Sequence, residues 1–239
     1  MDREALGTHG RTAQLAAVAR GLALLVAVAG LVLLALSGPG VRFELFGYRT
    51  GLMLFRWSGY VGLAAVVLVV IAFLLARRRA GWLVLPLLAG ALAWSVPFQL
   101  QRQATGAPPI NDITTDTANP PAYMTAKVGY PGEQFARQQR AAYPDIQPIP
   151  VALSPREAFD RALRAAESMG WEVVGSDAKA GTLEAVDTTR WFGFKDDIAI
   201  RVRAEGAGSR IDIRSKSRVG RGDLGTNARR IRAYAERLK

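Results

Sequence analysis

"DDIAIRVRAEGAGSRIDIRSKS", Asp196 to Ser217, changes character at nearly every residue. Ile198, Ile200, Val202 and Ala204 fall on one side of an extended chain, and Asp197, Ala199, Arg201 and Arg203 fall on the other. After the turn at Gly206–Gly208 the alternation resumes, with Ile211 and Ile213 set against Arg210, Asp212, Arg214 and Lys216. A period of two on both sides of a glycine turn predicts an antiparallel hairpin with one apolar and one charged face. Just upstream, "WEVVGSD" (171–177) and "GTLEAVDTT" (181–189) read as two more strands, joined by a turn at Asp177–Gly181. Four strands with one apolar face need a cover.

The flanking segments supply it. "SPRE" (Ser154–Glu157) is a capping box with Pro155 at the first helical position. Ala158, Phe159, Ala162, Leu163 and Ala166 follow at helical spacing, and Gly170 provides a left-handed stop. Beyond the hairpin, Leu224, Ala228, Ile231, Tyr234, Ala235 and Leu238 recur at three and four. Asp223 is the expected N-cap of this closing helix, and Arg229, Arg230, Arg232 and Arg237 its expected outer face. The fold class expected is α+β, an antiparallel sheet covered on one face by two helices, as a soluble domain over residues 151–239. Residues 103–150 are rich in proline, from Pro108 to Pro150. That composition favours extended backbone wrapping the domain, apart from a short helix around Glu133 to Arg140.

The first 102 residues are of another kind. They hold three acids (Asp2, Glu4, Glu44) against ten arginines, a net of +7, and the rest of the chain contributes +4 of the total +11. Three apolar runs, at about 15–36, 57–76 and 82–99, approach the ~20 residues needed to cross a bilayer. Trp57, Tyr60, Trp82 and Trp94 lie near their ends, where amphipathic rings favour the interface. Pro86 and Pro97 make the third run the least regular. A signal peptide competes for the first run, but its length and the spans that follow favour a retained helix. Arg3, Arg11 and Arg20, with Arg77, Arg78 and Arg79 of "RRRAG", outnumber Arg42, Arg49 and Arg56 of the first loop. The positive-inside bias places the C-terminal domain outside the cytoplasm, in a multi-pass protein of the inner membrane. The last two spans carry no charge, so the helices read as an anchor rather than a carrier.

There is no cysteine, and the only histidine is His9 in the N-terminal tail. Disulfides, thiolate nucleophiles, cysteine-ligated zinc and histidine acid–base chemistry in the C-terminal domain are therefore excluded. No metal or cofactor is expected.

Three blocks, in order, carry a resemblance: "DITTDTANPP" (112–121), "GW" (170–171) followed by "LEAVDTTRWFGFKDDIAIRV" (183–202), and "IDIRSKSRVGRGDLGTNARRIR" (211–232). They closely resemble the domain of unknown function 1499 family, over roughly Asn111 to Leu238. The resemblance implies a shared fold and brings no activity with it. It marks Phe194–Asp197 and Arg214–Asn227 as family-motif positions.

The candidate site follows from the end of that last block. Ser215 and Ser217 share a side, Arg214, Arg218, Arg221 and Arg230 supply positive charge, and Asp223 with Asn227 opens the closing helix. Backbone N–H groups at a helix start attract anions. These eight residues are the candidate anion site, with Asp196, Asp197 and Trp191 as secondary candidates. The structural alternative is that the arginines pair with Asp196, Asp197 and Asp212 across the sheet. Asp196 and Asp197 also suggest acid–base work on envelope material, but neighbours on a strand point to opposite faces. The expected partners are the bilayer and an acidic lipid, glycan or protein. A structural subunit of a membrane complex is a further alternative. Nucleic acid is not expected, because the domain is only +4 and lies outside the cytoplasm.

Overall fold

The computed structural model describes residues 3–76, 81–125 and 128–239. The chain divides into two compact units, Met1–Arg102 with Trp191–Gly193, and Gln103–Arg190 with Phe194–Lys239.

The first unit is helical. Helices α1 (Arg3–Ser37), α2 (Pro39–Arg42) and α3 (Tyr48–Ala76) are followed by a 3₁₀ turn at Gly81–Leu83 and by α4 (Val84–Gly106). Three segments, Gln14–Arg42, Tyr48–Leu75 and Gly81–Gln103, are long and apolar enough to cross a membrane. The second starts at Tyr48 rather than Trp57, because Leu52, Met53, Leu54 and Phe55 extend the helix past Arg49 and Arg56. Arg77, Arg78 and Arg79, half of the six arginines expected on the cytoplasmic side, lie outside the described residues.

Small residues close this unit. Ala23, Ala27, Ala65, Ala72 and Ala93 have no exposed surface. A Cβ added to Gly62 would sit 2.6 Å from the Trp94 amide nitrogen and 2.7 Å from the Gly90 carbonyl oxygen. One added to Gly30 would meet Ala93 Cβ and the Gly62 nitrogen, each at 3.3 Å. Three helix backbones therefore meet around Gly62, an approach that only small side chains permit. Buried Ser37 and Ser58 donate their hydroxyl hydrogens to Leu34 O (2.6 Å) and Phe55 O (2.7 Å) of their own helices.

The second unit is the expected α+β layer. Its elements are β1 (Asp112–Thr114), α5 (Glu133–Ala142), β2 (Ile149–Val151), α6 (Pro155–Ser168), β3 (Glu172–Asp177), β4 (Thr182–Thr188), β5 (Lys195–Glu205), β6 (Gly208–Ser217) and α7 (Thr226–Leu238). The antiparallel order is β1-β6-β5-β4-β3, and β2 also pairs with β6. The hairpin has the alternation read from sequence: Ile198 faces Ser215, Ile200 faces Ile213 and Val202 faces Ile211.

The proline-rich segment does more than wrap. Its β1 pairs with Arg214–Lys216 and its β2 with Ser209–Ile211, so the two lie in tandem along the outer edge of β6. Ile110, Ile113 and Ile146 from the same segment join the core. Gly208 is needed where β2 crosses it, since a Cβ there would lie 2.4 Å from Val151 O.

Helices α6 and α7 cover the apolar face. Ala158, Phe159, Ala162, Ala228, Ile231 and Tyr234 pack on Leu183, Ile198, Ile200, Ile211 and Ile213. The capping box is formed: Ser154 Oγ accepts from the Glu157 amide, and the Ser154 amide donates to Glu157 Oε2 at 3.0 Å. Gly170 stops α6 at φ 75°. Tyr234 stacks on Trp171 at 5.3 Å and donates to Ala162 O at 2.9 Å, so its buried hydroxyl is satisfied.

Candidate functional site

Strand alternation splits the candidate residues between the two faces of the sheet. Ser215 and Ser217 point with the core isoleucines toward α7, while Arg214 and Lys216 point away. Two separate ionic groups result.

On the helix side, β4 and β5 set Asp187 directly opposite Asp196. Facing carboxylates repel unless a cation lies between them. Arg230 of α7 is that cation: it donates from Nε to Asp187 at 2.8 Å and from Nη2 to Asp196 at 2.6 Å. Its Nη1 donates to Ser215 Oγ (3.0 Å) and Asn227 Oδ1 (2.6 Å). Ser215 Oγ donates to Asn227 Oδ1 at 2.7 Å, and Asn227 Nδ2 donates to Ser217 Oγ at 3.0 Å and to Asn111 O at 3.1 Å. Arg230 is 6% exposed, which corrects its expected place on the outer face of the helix. The pitch of α7 puts it beside Ile231 and Asn227 on the buried side.

The start of α7 also differs from expectation. Its N-cap is Gly225 (φ 75°), preceded by Leu224 in the same left-handed region (φ 56°). Asp223 caps from further back, accepting from the Gly225 amide at 2.9 Å and the Asn227 amide at 2.7 Å. The left-handed pair adds two residues between the cap group and the helix. Burial raises the Asp223 pKa above the usual aspartate range, although these amide bonds oppose it.

On the far side, Arg214 is 2% exposed and forms a two-pronged bond to Asp112, Nε to Oδ1 at 2.9 Å and Nη2 to Oδ2 at 2.7 Å. Tyr123 and Tyr130 lie 4.8 and 5.4 Å from its guanidinium carbon. Burial pushes the Tyr130 hydroxyl up to about 12, with the Asp112 charge adding to the effect. Further along this face Asp116 and buried Asp212 both accept from Arg201, Arg203 and Arg210. Buried Glu184 accepts from the Thr125 amide at 2.7 Å and hydroxyl at 2.6 Å.

Two cations at the end of β6 differ from all of these. Arg218 holds Asp197 through Nε (3.0 Å) and Nη2 (2.7 Å), but its side chain is 47% exposed and Nη1 makes no hydrogen bond with the described residues. Arg221 is exposed and forms neither a hydrogen bond nor an ion pair with the described residues. Asp196 and Asp197 do point to opposite faces, each with its own arginine. Trp191 belongs to the first unit, not to the unit that holds the other candidates. Among the described residues, no three His, Cys, Asp or Glu side chains gather as a metal site.

Asp112, Asp187 and Asn111 were not among the residues singled out from sequence. Asp112 meets Arg214 across 102 residues and leaves no local signal. Asp187 was within reach, since pairing "LEAVDTT" with "KDDIAI" in register forces it against Asp196.

A family model described as "Protein of unknown function (DUF1499)" matches residues 112–238. The chain belongs to the DUF1499 family. Comparison with curated proteins gives no match. The DUF1499 region opens at Asp112 and closes at Leu238, so it runs from the carboxylate that clamps Arg214 to the last core residue of α7.

Proposed function

We propose that this DUF1499 protein is a membrane-anchored binding protein whose α+β unit lies outside the cytoplasm and engages an anionic envelope component, such as a lipid headgroup, a phosphorylated or carboxylated glycan, or an acidic protein surface. The arginine bias of the N-terminal half supports the orientation. One observation carries the binding reading: of the arginines in the candidate site, Arg218 and Arg221 alone keep donors open at the surface among the described residues. Asp197 fixes the Arg218 side chain, so little rotamer freedom is left to lose when an anion binds. Arg214 and Arg230 serve as the frame, Arg214 held by buried Asp112 and Arg230 by buried Asp196 and half-buried Asp187. Because Asp196 and Asp197 are each occupied by an arginine, binding is favoured over acid–base catalysis at either carboxylate.

The test uses the full-length chain in nanodiscs of zwitterionic lipid, titrated calorimetrically with glycerol phosphate, polygalacturonate and polyglutamate. Replacing both Arg218 and Arg221 by Ala is expected to weaken the responding probe by about tenfold or more, the scale of one lost charge-assisted bond. Wild-type protein that binds none of the three, or a double variant that binds equally well, overturns the reading. A reporter active only outside the cytoplasm, fused after Lys239, is expected to be active, and silence would reverse the orientation.

A further inference from the structure

Between α1 and the start of α4, the first unit has a groove of about 400 Å³, within the range of small-molecule sites. Its floor is Ala17 and Gly21, and a Cβ on Gly21 would meet nothing within 4 Å. Leu24 and Leu85 form walls that stay open to the outside, 48% and 73% exposed. At one end sits Arg20, the single cation among the described lining residues. Arg20 donates from Nε to Ala16 O at 3.1 Å, and its guanidinium carbon lies 5.8 Å from the centre of the Trp82 ring.

Those two contacts fix the guanidinium but do not satisfy it. Neither Nη1 nor Nη2 has a hydrogen bond or ion pair among the described residues, and no described carboxylate pairs with Arg20. Donors left unmet within a membrane span are costly, so they draw whatever acceptor the bilayer offers. The first 102 residues hold only Asp2, Glu4 and Glu44 as acids, and the sequence runs through Arg77, Arg78 and Arg79 just before Gly81. An oriented cation at the mouth of an apolar groove open to lipid complements a molecule with a phosphate anion at one end and a hydrocarbon chain at the other.

We propose that the groove between α1 and α4 is a binding site for an anionic phospholipid of the surrounding bilayer, its phosphate on Arg20 and an acyl chain against Gly21, Leu24 and Leu85. The site is separate from the anion site of the α+β unit and does not depend on it.

The experiment reconstitutes the full chain in phosphatidylcholine vesicles. Electron paramagnetic resonance then measures immobilisation of chain-labelled phosphatidylglycerol against chain-labelled phosphatidylcholine. Wild type is expected to prefer phosphatidylglycerol, and Arg20→Gln to reduce the preference by about fivefold, near the effect of one cation at a membrane surface. Gly21→Leu, which fills the floor and leaves the charge, is expected to lower immobilisation of both lipids. Arg56→Gln, at a membrane cation outside the groove, is expected to change neither. Helical circular dichroism of each variant shows whether it has folded. No preference in wild type, a preference unchanged in Arg20→Gln, or full immobilisation in Gly21→Leu overturns the proposal. So does a groove closed by a second copy of the chain, seen in native mass spectrometry as a dimer retaining no phosphatidylglycerol.

Discussion

Ala23, Ala65 and Ala93 of the membrane unit are as deeply buried as Ile198, Ile213 and Ile231 of the α+β unit, but the two sets close their cores in opposite ways. Among the helices the smallest side chains face inward, while Leu25 and Leu85 stay 66% and 73% exposed. Lipid is as apolar as leucine, so burying a large side chain gains little there, and close backbone packing is what remains. In the α+β unit the gain comes from removing isoleucine from water. Charge can then be buried only in closed networks, such as Arg230 with Asp187 and Asp196 or Arg214 with Asp112. Residue size decides the first unit, and charge balance decides the second.

The two cores cease to differ in kind if the buried ions are dispensable. Arg230→Met removes the cation between Asp187 and Asp196, leaves two facing carboxylates and frees Ser215 and Asn227. A loss of about 3–5 kcal/mol is expected, measured by thermal unfolding through the near-ultraviolet signal of the stacked Trp171–Tyr234 pair. A wild-type transition would show that the network adds nothing. Gly62→Val tests the other unit and should cost about 1–3 kcal/mol through overpacking against Trp94 and Gly90, measured by thermal loss of the helical circular dichroism signal. Leu85→Ala, on the lipid side, should leave the same melt unchanged, and equal losses from both would erase the distinction in size.

Ser154→Ala should cost about 1 kcal/mol through loss of the α6 cap. The smallest expected effect is a pH dependence. Its hydrogen bonds with Ser154 hold Glu157 below the usual glutamate range. The associated stability is therefore present above the unfolded pKa and is lost as pH falls through the lower folded value. Asp223 has the opposite sign: burial raises its pKa, so its contribution is full below the unfolded value and fades as pH rises through the folded one. Melting profiles of Glu157→Gln and Asp223→Asn between pH 3 and 7 should therefore depart from wild type in opposite directions, and parallel profiles would refute both assignments.

What could be read from sequence was what repeats locally. The hairpin of β5 and β6, the capping box at Ser154 and the faces of α6 and α7 each lie within one window of alternating or helical spacing. The three-residue strands β1 and β2 carry no such period, and their partner β6 lies far along the chain. The candidate site was legible in the same partial way. Alternation correctly sets Arg214 and Lys216 apart from Ser215 and Ser217. That Arg214 is buried depends on Asp112, Tyr123 and Tyr130, which come from a segment without periodic signal. Arg230 was misplaced because arginine on an amphipathic helix ordinarily marks the wet side, and here two aspartates draw it inward.

The tandem seating of β1 and β2 along β6 also matters for how copies of the chain meet. A bare edge strand invites pairing with another molecule, and a long flat one invites fibres. Here the proline-rich segment occupies one edge of the sheet, leaving β3 as the other. That strand is short, its register breaks between Val173 and Gly175, and exposed Glu172 and Asp177 stand at its ends. Such breaks and charges are known ways of discouraging intermolecular pairing. Deleting residues 107–114 would strip β1 from β6, and the expected result is self-association through the newly opened strand.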